Sequence, residues 1–200
     1  MIYIAIGIFG FLILHLFDSV SLKRTSSGSK LTTWILGSGL LVYSVIAMSL
    51  TPDKLSLPMW STWLGWGLLP LAAFLKIYSL FINLPFRSTY VTTSVGDKLV
   101  TTGLYALVRY PWIHSFALIL LSLVLVSKSS LLLIASPILI LLNILLAVIQ
   151  DKFFFGRMFA GYDRYRKETP MLLPNRKSIS ACLRTIKPEP SSVAQRRSVP

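Results

Sequence analysis

Residues 97–113, DKLVTTGLYALVRYPWI, combine charge, glycine, aromatic rings and a proline between two long apolar segments. A second segment of the same character, residues 150–174 (QDKFFFGRMFAGYDRYRKETPMLLP), begins where the last apolar run ends. Each segment lies at the end of an apolar run and is rich in polar and aromatic residues. We expect the two segments to form the walls of one site, with the remaining apolar runs as its scaffold.

The composition is that of a membrane protein. Of 200 residues, 54% are hydrophobic and 14% are charged, and the mean hydropathy is +0.69. Soluble domains are about one quarter charged, and the apolar residues here form blocks long enough to cross a bilayer. The sequence therefore predicts one integral membrane domain over residues 1–174. Residues 175–200, basic and rich in Ser and Pro, are expected to be a disordered cytoplasmic tail or to lie against anionic headgroups.

Five apolar runs predict five transmembrane helices in an all-α integral membrane fold. The last two runs are separated only by SKSS, which is too short to cross a membrane, so they are expected to form a tight helical hairpin. Pro70 is expected to interrupt the third run. Three tryptophans on one flank of that run favour an anchor at the membrane interface over a cofactor-binding role. The runs cover residues 1–17, 31–50, 59–84, 112–126 and 131–149, and the tryptophans are Trp60, Trp63 and Trp66.

The basic residues predict the orientation of these spans. With the N-terminus outside and the C-terminus in the cytoplasm, the basic loops 18–30 and 85–111 and the basic tail all lie inside. Only Lys54 and Lys128 remain outside, as the positive-inside rule requires. Lys76 lies within the third run near its inner end, where it is expected to snorkel. The host membrane is expected to be the endoplasmic reticulum in a eukaryote or the inner membrane in a bacterium.

The net charge of +13 indicates contact with membrane lipids rather than nucleic acid. The basic residues lie at the ends of apolar runs and in the tail, where they face anionic headgroups. The tail has no aromatic residues among its basic ones, unlike proteins that bind single strands. Cys182 is the only cysteine, which excludes an internal disulfide and a cysteine-based zinc cluster.

The segment 97–113 has the chemistry of an anion site. Gly103 permits a tight turn and a close approach by a ligand. Arg109 stands before Pro111, which favours the start of a helix, and free N–H groups at a helix start bind carboxylate or phosphate. In the other segment Asp151 follows Gln150 at the end of the fifth run. Alternatively, the basic residues are only membrane anchors and the tyrosines an interfacial belt. The tyrosines are Tyr105 and Tyr110, with Tyr162 and Tyr165 on a short predicted amphipathic helix that ends at Pro170.

Residues 99–111, LVTTGLYALVRYP, resemble the LVTTGPYRYVRHP signature of the isoprenylcysteine carboxyl methyltransferase and phospholipid methyltransferase superfamily. The second segment is similar to the family's EE…FG..Y..Y..RVP..LP block, and the two blocks together cover residues 98–174. The resemblance implies an integral membrane enzyme that uses S-adenosyl-L-methionine, bound by a cytoplasmic segment between spans 3 and 4. In the isoprenylcysteine branch the methyl acceptor is the carboxylate of a C-terminal prenylcysteine.

The resemblance also implies particular site residues. Asp151 matches the second of two paired glutamates in the family, and the first is Gln150 here. The chain differs further at Leu104, which replaces a proline, at Tyr110, which replaces a histidine, and at Leu146, which replaces an arginine that pairs with the substrate carboxylate. The family's cofactor contacts fall on Asp97, Lys98, Leu99, Val100, Tyr105, Tyr110, Pro111, Trp112, Ile113 and Gln150.

The function implied by the resemblance is methyl transfer to a membrane-embedded acceptor, a prenylcysteine carboxylate or another lipid-like substrate, that enters between spans. Arg109 and Asp151 are the expected catalytic residues: Arg109 would hold the carboxylate of the cofactor, and Asp151 a hydroxyl or the amine. The methyl donor is already activated, so the enzyme has mainly to align the reactants and exclude water. Asp151 and His114 are the few candidate bases, which favours an acceptor that needs no deprotonation.

Two other functions stay open at this point. A non-catalytic membrane protein that keeps the fold would account for Tyr110, Gln150 and Leu146, and it would bind no cofactor. A membrane oxidoreductase similar to sterol reductases would be stabilised by a reduced nicotinamide cofactor and not by S-adenosyl-L-methionine. The sequence has no glycine-rich dinucleotide fingerprint to support the oxidoreductase.

Overall fold

The structure, a computed structural model, describes residues 1–22, 27–84 and 99–186. Within these ranges the chain forms helices and no strand, so the all-α prediction is confirmed. Two π-helical segments directly continue α3 and α6. The elements are α1 (Ile2–Leu22), α2 (Ser27–Ser49), α3 (Met59–Ile77), π1 (Tyr78–Ile82), α4 (Leu104–Leu107), α5 (Pro111–Ser127), α6 (Ser130–Ile149), π2 (Gln150–Phe154), α7 (Phe155–Met158), α8 (Tyr162–Glu168) and α9 (Arg176–Ile186).

Three helical stretches in the described part of the chain are long and apolar enough to cross a membrane. They are Gly28–Ser49, Met59–Ile82 and Ser130–Met158. Two further apolar helices, Ile2–Phe17 and Pro111–Ser127, are shorter. The structure thus supports a membrane protein with three candidate spans, and the count of five stays a prediction.

Proline does not interrupt the third span. Helix α3 runs through Pro70 without a break, which corrects the expected interruption. Membrane helices tolerate proline because neighbouring helices and polar side chains satisfy the backbone groups that it leaves free. Pro137 lies inside α6 in the same way.

The long helices form two pairs. Helix α1 packs mainly against α2, and α3 packs mainly against α5. The second pair approaches closely at Gly65, where a Cβ would lie 2.8 Å from the carbonyl oxygen of Ser122. Helix α6 contacts both pairs, so it joins them. The buried core at this junction includes Phe11, Met48, Leu120, Leu132 and Leu139.

At one end of the bundle, the loop 51–58 packs on the turn between α5 and α6. The N–H of Leu55 donates to the carbonyl of Lys128 at 2.7 Å. Lys128 has a φ of 55° at the end of α5, and the side chain of Ser129 accepts from the N–H of Leu132 to cap α6. The predicted tight hairpin is confirmed, and the two short loops lie at the same end.

The C-terminal residues gather at the other end of the bundle, where α3 and α6 run into the π segments. Helix α8 forms where the sequence predicts an amphipathic helix, with Tyr162 and Tyr165 buried. Helix α9 lies within the segment whose composition predicts disorder. It packs against α4 and buries Ser178 and Cys182. The average composition of residues 175–200 hides the helical spacing of Ile179, Cys182, Leu183 and Ile186.

Candidate functional site

The two polar-aromatic segments are joined by hydrogen bonds. The backbone N–H of Arg109 donates to the carbonyl of Pro170 at 2.9 Å, and the Tyr165 hydroxyl donates to the carbonyl of Tyr105 at 2.7 Å. The hydroxyl of Tyr105 donates in turn to the carbonyl of Ser79 in π1 at 3.0 Å. Segments that lie about forty residues apart in the sequence are therefore in direct contact.

A glycine turn begins the first of these segments. Gly103 has a φ of +61°, which residues with a Cβ rarely adopt. Asn83, just after π1, holds the turn: its side-chain amide donates to the carbonyl of Thr102 at 3.0 Å, and its Oδ1 accepts from the N–H of Leu104 at 3.3 Å. The N–H of Gly103 donates to Thr185 Oγ1 of α9 at 3.0 Å. The turn thus connects π1, α4 and α9.

The buried carboxylate of Asp151 organises the contact between the segments. Its Oδ1 accepts from the hydroxyls of Tyr162 at 2.5 Å and Tyr110 at 3.3 Å, and these two hydroxyls lie 3.2 Å apart. Arg166 Nε lies 3.0 Å from Oδ2, and Arg109 Nε lies 3.4 Å from Oδ1. The buried charge is therefore compensated by two cations and two hydroxyl donors, as a stable buried carboxylate requires.

The tyrosines of this cluster stay protonated. Burial raises the pKa of Tyr110, and the neighbouring Tyr162 and the charge of Asp151 raise it further. Burial, together with the hydrogen bond to Asp151, raises the pKa of Tyr162, and burial also raises the pKa of Tyr165. At neutral pH these hydroxyls therefore donate hydrogen bonds and do not act as phenolate bases.

Arg109 keeps unused hydrogen-bonding capacity. It is 8% exposed, and its Nη1 donates to the carbonyl of Arg166 at 3.0 Å. Its Nε is near Asp151 but has no hydrogen-bond partner. A guanidinium carries five N–H donors and is always charged. Nε contacts Asp151 and one Nη1 hydrogen serves Arg166, so the other Nη donors can bind another anion while Nε keeps its contact with Asp151.

A cavity of about 550 Å³ lies between the two helix pairs, alongside this cluster. Small-molecule sites in proteins typically measure about 300–1,000 Å³. One part of the wall is polar and aromatic and comes from the two segments. The other part is mainly apolar and comes from α1, α2, π1, α5 and α6, and α3 adds Lys76 to it. The first part includes Tyr105, Arg109, Trp112, Gln150 and Tyr162, and the second includes Phe11, Leu14, Trp34, Val45 and Phe116.

The structure divides the predicted site residues into three groups. Asp97 and Lys98 lie outside the described residues. Four residues are buried without lining the cavity, namely Tyr110, Pro111, Ile113 and Asp151. The remaining predicted residues line the cavity: Leu99, Val100, Tyr105, Arg109, Trp112 and Gln150.

His114, considered above as a base, is exposed on α5 and does not line the cavity. The exposed tryptophans of α3 also lie outside it. Leu146 does line the cavity, so an apolar residue stands where the resemblance expects an arginine. Position 146 is therefore part of the cavity wall, although its side chain is apolar and not a guanidinium.

Sequence reasoning missed Lys76 and Arg166 as site residues. Lys76 lines the cavity, where its Nζ donates to the carbonyl of Trp112 at 3.4 Å and lies 5.4 Å from the ring centre of Phe116. An ionisable residue inside an apolar span is itself a signal of function, and that signal could have identified Lys76. Arg166 has no comparable signal, because it reaches Asp151 only through the packing of α8.

Comparisons of this chain with protein-family models, with curated proteins and with solved structures give no match.

Proposed function

We propose that this protein is an S-adenosyl-L-methionine-dependent methyltransferase that acts on a membrane-embedded, lipid-like acceptor. The observation that supports it best is the divided wall of the cavity. One part is built from the two segments that resemble methyltransferase blocks, and the other is apolar and lies between helix pairs. A polar donor and a lipid-like acceptor need these two environments side by side.

The polar wall suits this cofactor chemically. Arg109 lines the cavity, and its guanidinium has more N–H donors than its contacts with Asp151 and Arg166 use. Tyr105 and Trp112 offer aromatic faces to a purine ring, with their ring centres 6.1 Å apart. When bound, the cofactor supplies a methyl group on a positively charged sulfur. The residues of the wall hold and orient it and exclude water, which is most of what this reaction needs.

Asp151 acts as a positioning residue in this proposal. It does not line the cavity, and its oxygens are engaged by Tyr110, Tyr162, Arg109 and Arg166. Its role is to fix the guanidinium of Arg109 and to tie the second segment to the first. Since the protonated tyrosines cannot serve as bases, an acceptor that needs no deprotonation remains the better fit.

The topology proposed with this function has five spans, an outside N-terminus and a cytoplasmic C-terminus. Lys54 and Lys128 lie at the loop end of the bundle, where two backbone hydrogen bonds hold the short loops together. The cavity cations Arg109 and Lys76 and the basic helix α9 lie toward the other end. A cytoplasmic site end gives a soluble cofactor access to the polar wall. The membrane is that of the endoplasmic reticulum in a eukaryote or the inner membrane in a bacterium.

The test is thermal unfolding of the purified full-length protein with S-adenosyl-L-methionine, its demethylated product or a reduced nicotinamide cofactor. A ligand that binds only the folded state adds about 2.7 kcal/mol at one hundred times its Kd. We expect saturable stabilisation by the first two ligands and none by the third.

Arg109→Ala should lose this response, while Arg164→Gln, on the exposed face of α8, should keep it. Transfer of a labelled methyl group to a lipid extract would then identify acceptors.

A non-catalytic protein is the second candidate, and one observation favours it. The Asp151 cluster is satisfied by the chain's own groups, so the fold does not need a ligand to stabilise it. This candidate predicts no thermal response to any of the three ligands. Stabilisation by the nicotinamide cofactor alone would instead support the oxidoreductase.

A further inference from the structure

Lys76 places a cationic group in the wall of the cavity. It lies in the last turn of α3, within the apolar stretch Met59–Ile82. Within residues 1–22, 27–84 and 99–186, no carboxylate forms an ion pair with it. Its contacts are one long hydrogen bond to the carbonyl of Trp112 and a position 5.4 Å from the ring centre of Phe116.

These contacts compensate the ammonium only in part. A charge in apolar surroundings is costly unless it is paired and hydrogen-bonded, and an intramembrane lysine normally has a partner. A cation–π contact contributes about 0.5–2 kcal/mol, and a hydrogen bond at 3.4 Å is weak. An anionic group beside Lys76 would complete this compensation.

The charged residues of the cavity wall also indicate an anionic partner. Among the described residues that line it, the charged ones are Lys76 and Arg109, and both are cationic. Most of the remaining wall is aliphatic or aromatic. Arg109 belongs to the polar part built from the two segments, whereas Lys76 comes from the span. The two cations can thus serve two different anionic groups.

We propose that this cavity binds an anionic amphiphile, with its charged headgroup paired to Lys76 and its hydrocarbon chain along the walls from α1 and α2. The apolar side chains of this wall include Phe11, Leu14, Leu41 and Val45. The binding itself does not depend on methyl transfer.

The chain provides its own optical reporters for a test. It has five tryptophans, of which Trp34 and Trp112 line the cavity. Replacing the three exposed tryptophans of α3 with phenylalanine leaves these two as the only indole fluorophores. A brominated C16 fatty acid then quenches their fluorescence when its chain enters the cavity. The methyl ester of the same acid is the uncharged control ligand.

We expect the acid to bind about tenfold more tightly than its ester, the effect of one charged hydrogen bond. Lys76→Gln should abolish this preference, and Lys76→Arg should keep it. Lys54→Gln is the matched control, because Lys54 is exposed at the far end of the bundle, and it should keep the preference. Thermal unfolding without ligand verifies that each variant is folded.

Equal affinity for acid and ester in the parent protein, or a preference unchanged in folded Lys76→Gln, would overturn the proposal. Because the titration contains no cofactor, its result is independent of methyl transfer. A preserved acid preference without methyl transfer would reject the proposed function alone, and methyl transfer without an acid preference would reject this inference alone.

Discussion

At the scale of single residues, Asp151 shows what sequence reasoning can and cannot reach. Its place at the end of an apolar helix, together with Arg109 near a helix start, predicts that both residues belong to one site. The sequence does not predict that they lie 3.4 Å apart. That pairing depends on α8, which brings Tyr162 and Arg166 to the same carboxylate. Long-range packing of this kind leaves no periodic pattern in the sequence.

Removing the charge of Asp151 should destabilise the protein strongly. Asp151→Asn keeps the shape but leaves two guanidinium groups facing a neutral amide. Loss of one partner from a buried ion pair costs roughly 3–5 kcal/mol, measurable by reversible unfolding in mixed micelles. Arg164→Gln breaks the exposed pair with Glu168 and should leave stability unchanged. A similar small effect for both variants would argue against the cluster as the joint between the segments.

The tyrosines of the cluster should make the protein sensitive to alkaline pH. Burial raises the pKa of Tyr110 and Tyr162 above the ordinary value of 10. A raised pKa in the folded state means that the stabilisation is complete below pH 10 and is lost as the pH rises further. Each tyrosine contributes at most about 1.4 kcal/mol per pH unit to this loss. Between about pH 10 and 11, Tyr162→Phe should therefore lose less stability than the wild type, as measured by thermal unfolding. An equal loss of stability per pH unit in the two proteins would contradict this.

At the scale of elements, both long helices that feed the site end in a π-helical segment. Segment π1 supplies the carbonyl of Ser79 to Tyr105, and π2 supplies Asp151. π-helical turns inside longer helices are rare and occur often at functional sites. The apolar pattern correctly predicts the helices but not the change in their winding: apolar residues continue through π1 (YSLFI), whereas π2 (QDKFF) begins where the apolar run ends. Helix α9 is missed for a different reason: its apolar residues recur at the i, i+3, i+4 and i+7 spacing of a helix, but the average composition of the tail hides this pattern.

The turn at Gly103 should tolerate no side chain. Gly103→Ala meets two obstacles: a φ of +61° and a Cβ that would collide with Asn83 Oδ1. Backbone strain of this kind costs about 1–3 kcal/mol, and the collision adds to it. We expect a lower unfolding temperature and weaker ligand stabilisation.

Two further glycines separate the causes of this effect. Gly161 has a φ of +80° but open space around a Cβ, so Gly161→Ala should show strain alone. Gly67, inside α3, has open space and no positive φ, and Gly67→Ala should be neutral or slightly stabilising. If all three variants behave alike, the close contact between Gly103 and Asn83 is not a constraint.

At the scale of the whole molecule, the sequence shows the apolar runs but does not show which helices pack against each other. The two short loops, 51–58 and the α5–α6 turn, lie at a common end, as the alternation of the apolar runs predicts. Helix α3 pairs with α5 rather than with its neighbour in sequence, α2. The cavity lies between the resulting pairs, so no single stretch of sequence defines it. The polar residues of the two segments could be predicted from motifs, but Lys76 was missed. The apolar wall could not be predicted, because leucines and phenylalanines in a cavity resemble those in a core.

The proposed orientation predicts which end of the bundle is reachable from outside the cell. In a Cys182→Ser background, Lys54→Cys and Lys177→Cys place single exposed thiols at the two ends. A membrane-impermeant thiol reagent should label the first in intact bacterial cells and the second only after permeabilisation. The reverse pattern would invert the topology and place the site end on the outer face.

The pairing of α3 with α5 also has a consequence for the way the protein is made. Helices α1 and α2 can pair as soon as both have left the ribosome. Helix α3 has to wait for its partner, and residues 78–127 take on the order of 3–10 s to synthesise at about 5–20 residues per second. During that interval α5, the helix that packs against the surface around Gly65, is not yet present in the nascent chain. Assembly of the second pair, and with it the closing of the cavity, is therefore a late event in the biogenesis of this protein.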